Sequence, residues 1–547
     1  MATPLATMKG MDAGYQGSAR ELLEGLDDAQ LVAATALEGP VRIIAGAGAG
    51  KTRTVTRRIA YACATGVWDP VRTLAVTFSV KAAAEMRVRL SSLGIGDTVT
   101  AATFHSAALH QLRRVWSDVC DAPFPRLVDD ARDIVARAMH RVDPDIDTDD
   151  LAVRTIRDEI NWAKISLVAP DQTARVAAVT DRCRPAGLDP ERFADIYDAY
   201  EQEKTVRGAM DFDDILLMAC HVLEGFDEAA ATIRRSIGWL TVDEYQDVSP
   251  LQHRLMRLWL GDENRDVCVV GDPAQTIYSF AGASSYDLLS FADEFAPLTA
   301  DVSLDTDYRS TPQIVSYANR VLAASPVRHE YLKLKSGREK GHRIERTVYE
   351  TDLDEARGVA ARILRLMEKG VSPADCAILT RINAQQAVCC TALRHAGLRY
   401  RVKRDGGGPA STPVADLDAA QRIAMVEALR EASSSESTAS DGPMSDGSAS
   451  TTSTEGERAR AWAARLGQVT VSTVHASKGL EFKHVFLIGC SEGLMPYGSP
   501  MPGDELEEER RLMYVGITRA EDTLHLSYAR SKDGMGPQQR RLSRFLS

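Results

Sequence analysis

Apolar and polar positions along the chain fall into two patterns, short solid apolar runs and longer stretches with helical spacing. The run Val41 to Ala45 leads into a glycine-rich turn, and Lys51 to Ala64 then carries helical periodicity. Thr73 to Phe78 predicts a second strand, followed by a helix over Lys81 to Leu90. Trp239 to Val242 predicts a third strand ending in acidic residues, and Asp266 to Val270 a fourth ending in Gly271-Asp272. Strands that alternate with helices and carry polar residues at their C-terminal ends describe a parallel α/β sheet. Between Phe104 and Asp211 the pattern is almost wholly helical, with turn signals such as Asp143-Pro144 and Pro185, which predicts a helical insertion. Past Leu304 the alternation resumes at Cys376 to Leu379, Val469 to Val474, Val485 to Ile488 and Thr523 to Ser527, which predicts a second sheet domain.

Polar stretches set the limits of these units. Ser433 to Glu457 is a Ser/Thr/Gly/Asp tract with almost no apolar content, so it cannot offset its own ordering entropy and reads as a disordered linker. The first 20 residues lack a basic start followed by an apolar run, and read as a disordered leader rather than a secretory signal. At 547 residues the chain is too long for one core. No stretch approaches the ~18 uninterrupted apolar residues of a membrane span. The nine cysteines are scattered without a CxxC pair, which argues against a zinc site or disulfide framework and for a reducing cytoplasm. A net charge of −12 does not suggest a protein that coats DNA with a basic surface throughout. It leaves room for a local basic groove, because phosphate contacts act within a Debye length of ~10 Å.

The strongest chemical signal is AGAGAGKT, Ala45 to Thr52. Backbone N–H groups of Ala47, Gly48, Ala49 and Gly50 in such a loop converge on anionic oxygens, and the following helix adds its positive end. Lys51 would reach the β- and γ-phosphates of ATP, and the Thr52 hydroxyl would bind Mg²⁺. The strict pattern has Gly where Ala45 stands. A nucleotide site also needs a metal-holding carboxylate on a neighbouring strand, and the strand ending in Asp243-Glu244 supplies it. Asp243 would hold Mg²⁺, and Glu244 would orient and deprotonate the attacking water. Taken alone, an acidic pair at a strand end is usually a solvated edge; beside a phosphate loop it reads as catalytic.

VDEYQDVSPLQ (Val242 to Gln252), VGDPAQTIYSFAGA (Val270 to Ala283) and AVTFSVKAAAEMRVRL (Ala75 to Leu90) resemble signature blocks of the UvrD/Rep/PcrA-like superfamily 1A DNA helicases. So do TFHS (Thr103 to Ser106), DFDDIL (Asp211 to Leu216), DYRSTPQIV (Asp307 to Val315), STVHASKGLEF (Ser472 to Phe482) and EEERRLMYVGITRAEDTLHL (Glu507 to Leu526). TIYSF, where many relatives have a Trp-containing block, resembles the actinobacterial UvrD2-type branch.

The resemblance implies two RecA-like parallel-sheet P-loop motor domains. Domain 1A would take residues 21–104 and 210–299, helical domain 1B residues 105–209, and domain 2A residues 300–400 and 466–547. A reduced 2B region would fill 401–465, too short for the full helical insertion of relatives. At the nucleotide, Gln30 would read the adenine edge, with Arg53 and Tyr308 packed near the base. Gln275 would sense the γ-phosphate, Arg309 and Arg519 would serve as arginine fingers, and Glu481 would hold the ribose. Singly, such arginines are usually surface ion-pair partners. Phe78, Thr103, His105, Tyr278, Phe280 and His475 stand where similar helicases contact single-stranded DNA; the alternative for Phe78 is core packing. Phe280 replaces a common Trp and Ala281 a common Arg. Family polarity is 3′→5′. The stretch Ser531 to Arg541 offers only Met535 where relatives often have an aromatic strand-separating pin. The implied partners are single-stranded DNA, single-strand/duplex junctions and a repair or nuclease protein, with no membrane, and the implied state is a monomer or weak dimer. Two alternatives stay open: a translocase subunit of a repair or anti-phage complex, and a DNA-binding scaffold with a defective ATPase.

Overall fold

In the computed structural model the described residues are 19–96, 98–128, 130–180, 185–279, 282–403, 467–533 and 539–547. The linker 433–457, most of the expected leader and of the 401–465 region, and Phe280, Ala281 and Met535 lie outside them.

Solid apolar runs need burial on both faces, and the first sheet provides it. Its six strands run in the spatial order Thr100–Thr103, Thr73–Thr77, Trp239–Val242, Val267–Gly271, Val41–Ala45, Ala300–Leu304. Every neighbouring pair is parallel. Alternate residues of one strand serve opposite cores. Val267 and Val269 pack with Leu240, Leu251 and Trp259 on one face. Cys268 and Val270 pack with Ile43, Val55 and Ile59 on the other. All C-terminal strand ends therefore open on one edge, where the candidate chemical residues follow.

The helix Phe104–Val119 belongs to this first unit, contrary to the boundary expected at Phe104. Its apolar stripe of Phe104, Ala108, Leu112 and Val115 enters the same core as Leu240 and Trp259, and Trp259 Nε1 donates to Gln111 Oε1 at 2.7 Å. Beyond it, helices Arg132–Val142, Asp150–Ile165 and Pro190–Val206 form a bundle with its own core, including Val135, Met139, Ile156, Ile160 and Ile196.

A buried charged knot fastens this bundle to the turn of the DFDDIL block. Lys164 Nζ lies 2.5 Å from Asp211 Oδ2, 2.6 Å from Asp214 Oδ1 and 3.0 Å from Glu201 Oε1. Lys204 Nζ lies 2.6 Å from Asp214 Oδ2 and 2.9 Å from Glu201 Oε2, while the Tyr200 hydroxyl donates to Asp211 at 2.8 Å. The three carboxylates are close enough to share a cation, and each already pairs with both ammoniums.

The second sheet runs Glu345–Thr351, Ala520–Ser531, Phe482–Leu487, Cys376–Thr380, Val469–Thr473, Tyr400–Lys403, again parallel throughout. Helices Asp352–Glu368 and Asn383–His395 cover one face. Helices Pro312–Ala323 and Asp504–Ile517 cover the other, in a core that also takes Ala47, Ala274, Ile277 and Tyr278 from the first unit. The two sheet domains thus meet through shared apolar packing. Among the described residues no helix is long and apolar enough to cross a membrane.

Candidate nucleotide and single-strand site

The strand Val41–Ala45 ends at Ala45, whose extended place needs no glycine, and the loop turns from Gly46, whose N–H donates to Leu304 O at 3.1 Å. Gly48 (φ +70°) and Gly50 (φ +77°) take left-handed backbone that glycine adopts without strain, and Gly50 caps the helix Lys51–Ala64. A Cβ on Gly48 would fall 2.0 Å from Asp307 Oδ1, so glycine is required for space as well. Ala47 and Ala49 are buried, and Gln30 Nε2 donates to Ala49 O at 3.0 Å.

Strand Trp239–Val242 delivers Asp243 and Glu244 opposite this loop. Glu244 sits at φ +54°, a strained position for a residue with a side chain. Its Oε2 lies 3.4 Å from Lys51 Nζ and accepts from Gln246 Nε2 at 2.6 Å. Burial alone would raise the Glu244 pKa, but Lys51, Lys478 and Gln246 together bring it below the usual carboxylate range. Burial and the neighbouring Glu244 charge raise Asp243 instead. Burial opposes the Lys51 charge, yet Glu244, Asp272, Asp243 and Asp247 outweigh it and raise the ammonium's pKa. An oxygen-only pair, the buried Asp243 carboxylate and the Thr52 hydroxyl on the first helical turn, suits a hard cation such as Mg²⁺. The raised Asp243 marks a place where added positive charge would be favourable.

From the second domain, Arg519 reaches across with only 2% of its surface exposed. Its guanidinium donates to Gln275 Oε1 at 3.4 Å, Leu480 O at 3.2 Å and Val515 O at 3.1 Å. Burial, then the nearby Arg309 charge, lowers its pKa to about 10, which leaves it charged at neutral pH. Arg309 pairs with Glu481, and its backbone N–H donates to Asp307 Oδ1 at 2.7 Å. Gln275 Nε2 donates to Asp272 Oδ2 at 2.7 Å. Lys478 also bridges the domains: its ammonium pairs with Asp247 and donates to Gln275 O at 2.6 Å. Arg511 Nε donates to Thr276 O at 2.6 Å.

Gln30, Arg53 and Tyr308 gather on the outer side of the loop. Asp27 and Gln30 form a reciprocal helix cap, Arg53 donates to Gly25 O at 3.0 Å, and the half-exposed Tyr308 donates its hydroxyl to Asp27. On the opposite side the Phe78 and Tyr278 rings stack with centroids 5.8 Å apart, and Tyr278 faces His475 at 6.2 Å. The Tyr278 hydroxyl donates to His475 O at 3.2 Å, and Lys478 Nζ lies 5.0 Å from the Tyr278 ring centroid. Thr103 caps the helix Phe104–Val119, accepting from Ser106 N at 3.2 Å. His105 is not brought to this cluster. It is buried, its ring stacks on Phe212 at 3.9 Å, and burial pushes its pKa down to about 3. Phe280 lies outside the described residues.

Residues 26–296 match the UvrD/REP helicase N-terminal domain, and residues 302–406 and 428–531 match the UvrD-like helicase C-terminal domain. The chain belongs to the UvrD-like helicases. Proteins named ATP-dependent DNA helicase UvrD2 from Mycobacterium tuberculosis and Mycobacterium bovis are 40% identical to it over 582 residues, covering 96% of this chain and 82% of theirs. ATP-dependent DNA helicase PcrA of Bacillus subtilis is 28% identical over 642 residues, 95% of this chain and 85% of its own.

For this UvrD-like helicase, the sequence reading passed over Lys478, Asp247 and Arg511, the groups that tie one domain to the other. Lys478 lay within STVHASKGLEF, a block read only for His475 and Glu481. A lysine in a loop is ordinarily solvated, and only its seat against a carboxylate 231 positions away sets it apart.

Proposed function

We propose that this chain is an ATP-dependent DNA helicase that translocates 3′→5′ on single-stranded DNA and unwinds duplex in DNA repair or replication. Its ATP binds in the cleft between the two sheet domains. The single observation that carries this reading is the convergence of Lys51, Glu244, Gln275 and Arg519 from both domains on one loop, with Arg519 touching Gln275. Lys51 and the loop amides bind the phosphates, Asp243 and Thr52 would hold Mg²⁺, and that ion would neutralise charge on the phosphate oxygens. Glu244 takes the proton of a water whose oxygen attacks the γ-phosphorus as the bond to the bridging oxygen breaks. Arg519 and Arg309 neutralise the charge that develops, and Glu481 exchanges Arg309 for the ribose. A nucleotide also draws Lys51 away from Glu244, which restores the basicity that the ion pair suppresses. Phosphate loss removes the anion that two guanidiniums were facing, so the cleft opens. Gln275 and Tyr278, three residues apart, carry that change to the strand.

The test is phosphate release against oligo-dT length, with unwinding of 3′- and 5′-tailed duplexes. DNA-stimulated release in the wild type, absent in Glu244→Gln, with unwinding confined to the 3′ tail, is the expected result. No DNA-stimulated release would reject the motor reading. A second reading, a translocase that separates strands only with a repair or nuclease partner, is favoured by the lack of an aromatic residue between Ser531 and Arg541. A Met face competes poorly with base-pair stacking of about 1.4 kcal/mol per step. A forked duplex with and without the partner separates the two.

A further inference from the structure

Two side chains hold the Glu244 carboxylate, Lys51 and Gln246, and a nucleotide that draws Lys51 away leaves Gln246 as its anchor. The backbone of Glu244 does nothing to aim it. At φ +54° the residue is strained, and such a conformation persists only where the surroundings over-determine it. Gln246 belongs to those surroundings and has no exposed surface.

Both N–H groups of the Gln246 amide and its carbonyl are engaged. Nε2 donates to Glu244 Oε2 at 2.6 Å and to Asp247 Oδ2 at 3.1 Å, and Oε1 accepts from the Asp272 N–H at 3.0 Å. These partners fix which way the amide faces, because ionised carboxylates only accept and a backbone N–H only donates. The fit is close: a Cβ on Gly271 would lie 2.7 Å from Gln246 Oε1. Two of the three partners lead to the second domain. Asp247 pairs with Lys478, and Asp272 accepts from Gln275, which in turn accepts from Arg519. One neutral side chain thus joins the base to both lines of contact across the cleft.

We propose that Gln246 is the positioning residue of Glu244, holding the carboxylate on the attacking water only while Lys478 and Arg519 are seated, so that water activation waits for the cleft to close. This rests on the reading of Glu244 as the base. Withdrawal of Lys478 leaves the buried Asp247 carboxylate short of a donor, and the amide that already donates to it is pulled from Glu244 toward that side. Departure of Arg519 frees Gln275, and with it the Asp272 turn on which the Gln246 carbonyl rests.

The test is single-turnover hydrolysis on oligo-dT, with affinity for a fluorescent ATP analogue, for Gln246→Met in three backgrounds. Displacing a reacting group by about 1 Å costs about 10²-fold, so Gln246→Met alone is expected to lose that much rate with nucleotide affinity kept. In Glu244→Gln, where no base is left to place, the same change is expected to cost less than about twofold. A full further loss there, or an affinity that falls with the rate, overturns the placement and leaves the motor reading intact. Glu244→Gln that hydrolyses at the wild-type rate rejects the base reading and the placement with it. In Lys478→Met the penalty of Gln246→Met is expected to shrink, and an undiminished penalty overturns the tie to closure. Gln246→Asn, which keeps the amide but withdraws it by one carbon, answers the same question should Gln246→Met not fold: a lower rate at kept affinity supports the placement, and a wild-type rate refutes it.

Discussion

Replacing Lys478 with methionine would keep the stem and remove one ammonium from the seam between the two sheet domains. The pair it breaks is buried, with side-chain exposures of 10% for Lys478 and 1% for Asp247. Removing one partner of such a pair costs about 3–5 kcal/mol, because the other charge stays behind in a poor environment. Asp247 is already badly placed: its Oδ1 has no hydrogen-bond partner, and burial pushes its carboxyl up to about 6 despite Lys478. Without Lys478 it takes up a proton near neutrality, which caps the loss at the lower end, about 3 kcal/mol or ~150-fold. Since the partners sit on opposite domains, the cost falls on cleft closure rather than on the folding of either domain. Dyes placed at the exposed Val71 and Val348 report closure by energy transfer. The expected result is an open-to-closed equilibrium constant reduced ~150-fold in Lys478→Met, with a fall in DNA-stimulated ATPase. The double variant Lys478→Met with Asp247→Asn is expected to recover part of both. An unchanged distance distribution in Lys478→Met, or strictly additive losses in the double variant, would refute the bridge.

Arg519→Ala is expected to lower kcat about 10³- to 10⁵-fold with ATP binding nearly kept, measured by single-turnover hydrolysis. Gly48→Ala forces a left-handed residue against Asp307 and should cost about 1–3 kcal/mol locally, read as a lower melting temperature and weaker nucleotide binding. Glu355 accepts from Gly489 N at 3.1 Å and Ser527 Oγ at 2.6 Å, and burial raises its carboxyl to about 7. A raised carboxyl favours the folded state fully below its unfolded pKa near 4.5 and loses that contribution as pH climbs through 7. Glu355→Gln is therefore expected to gain on the wild type between pH 5 and 8, by up to about 3 kcal/mol, in paired thermal melts.

All eight interior strands of the two sheets showed in the apolar pattern, and the four that escaped it are the four edges. Thr100–Thr103 is built from Thr and Ala, and Ala300–Leu304, Glu345–Thr351 and Tyr400–Lys403 expose much of their length. An edge strand needs no continuous apolar run and is often kept polar to discourage further pairing. Helix Phe104–Val119 was assigned to the insertion because its spacing says only that it has an apolar face, not which core receives it. Lys51, Asp243 and Glu244 were legible because loop, strand end and spacing are local. Arg519 and Gln275 came through family resemblance, and their contact spans 244 positions. His105 carried a motif's promise, but its burial under Phe212 is decided by the neighbouring helices and not by the motif.

The knot of Lys164, Lys204, Tyr200, Asp211 and Asp214 has a mechanical meaning. No member can let go alone without stranding a neighbour's charge away from water, so the helical bundle is welded to the first sheet rather than hinged on it. A force applied to the bundle is delivered whole to the turn at Asp211–Asp214. Because the weld is buried, dissolved ions screen it little, and it stays stiff at ionic strengths that weaken exposed ion pairs.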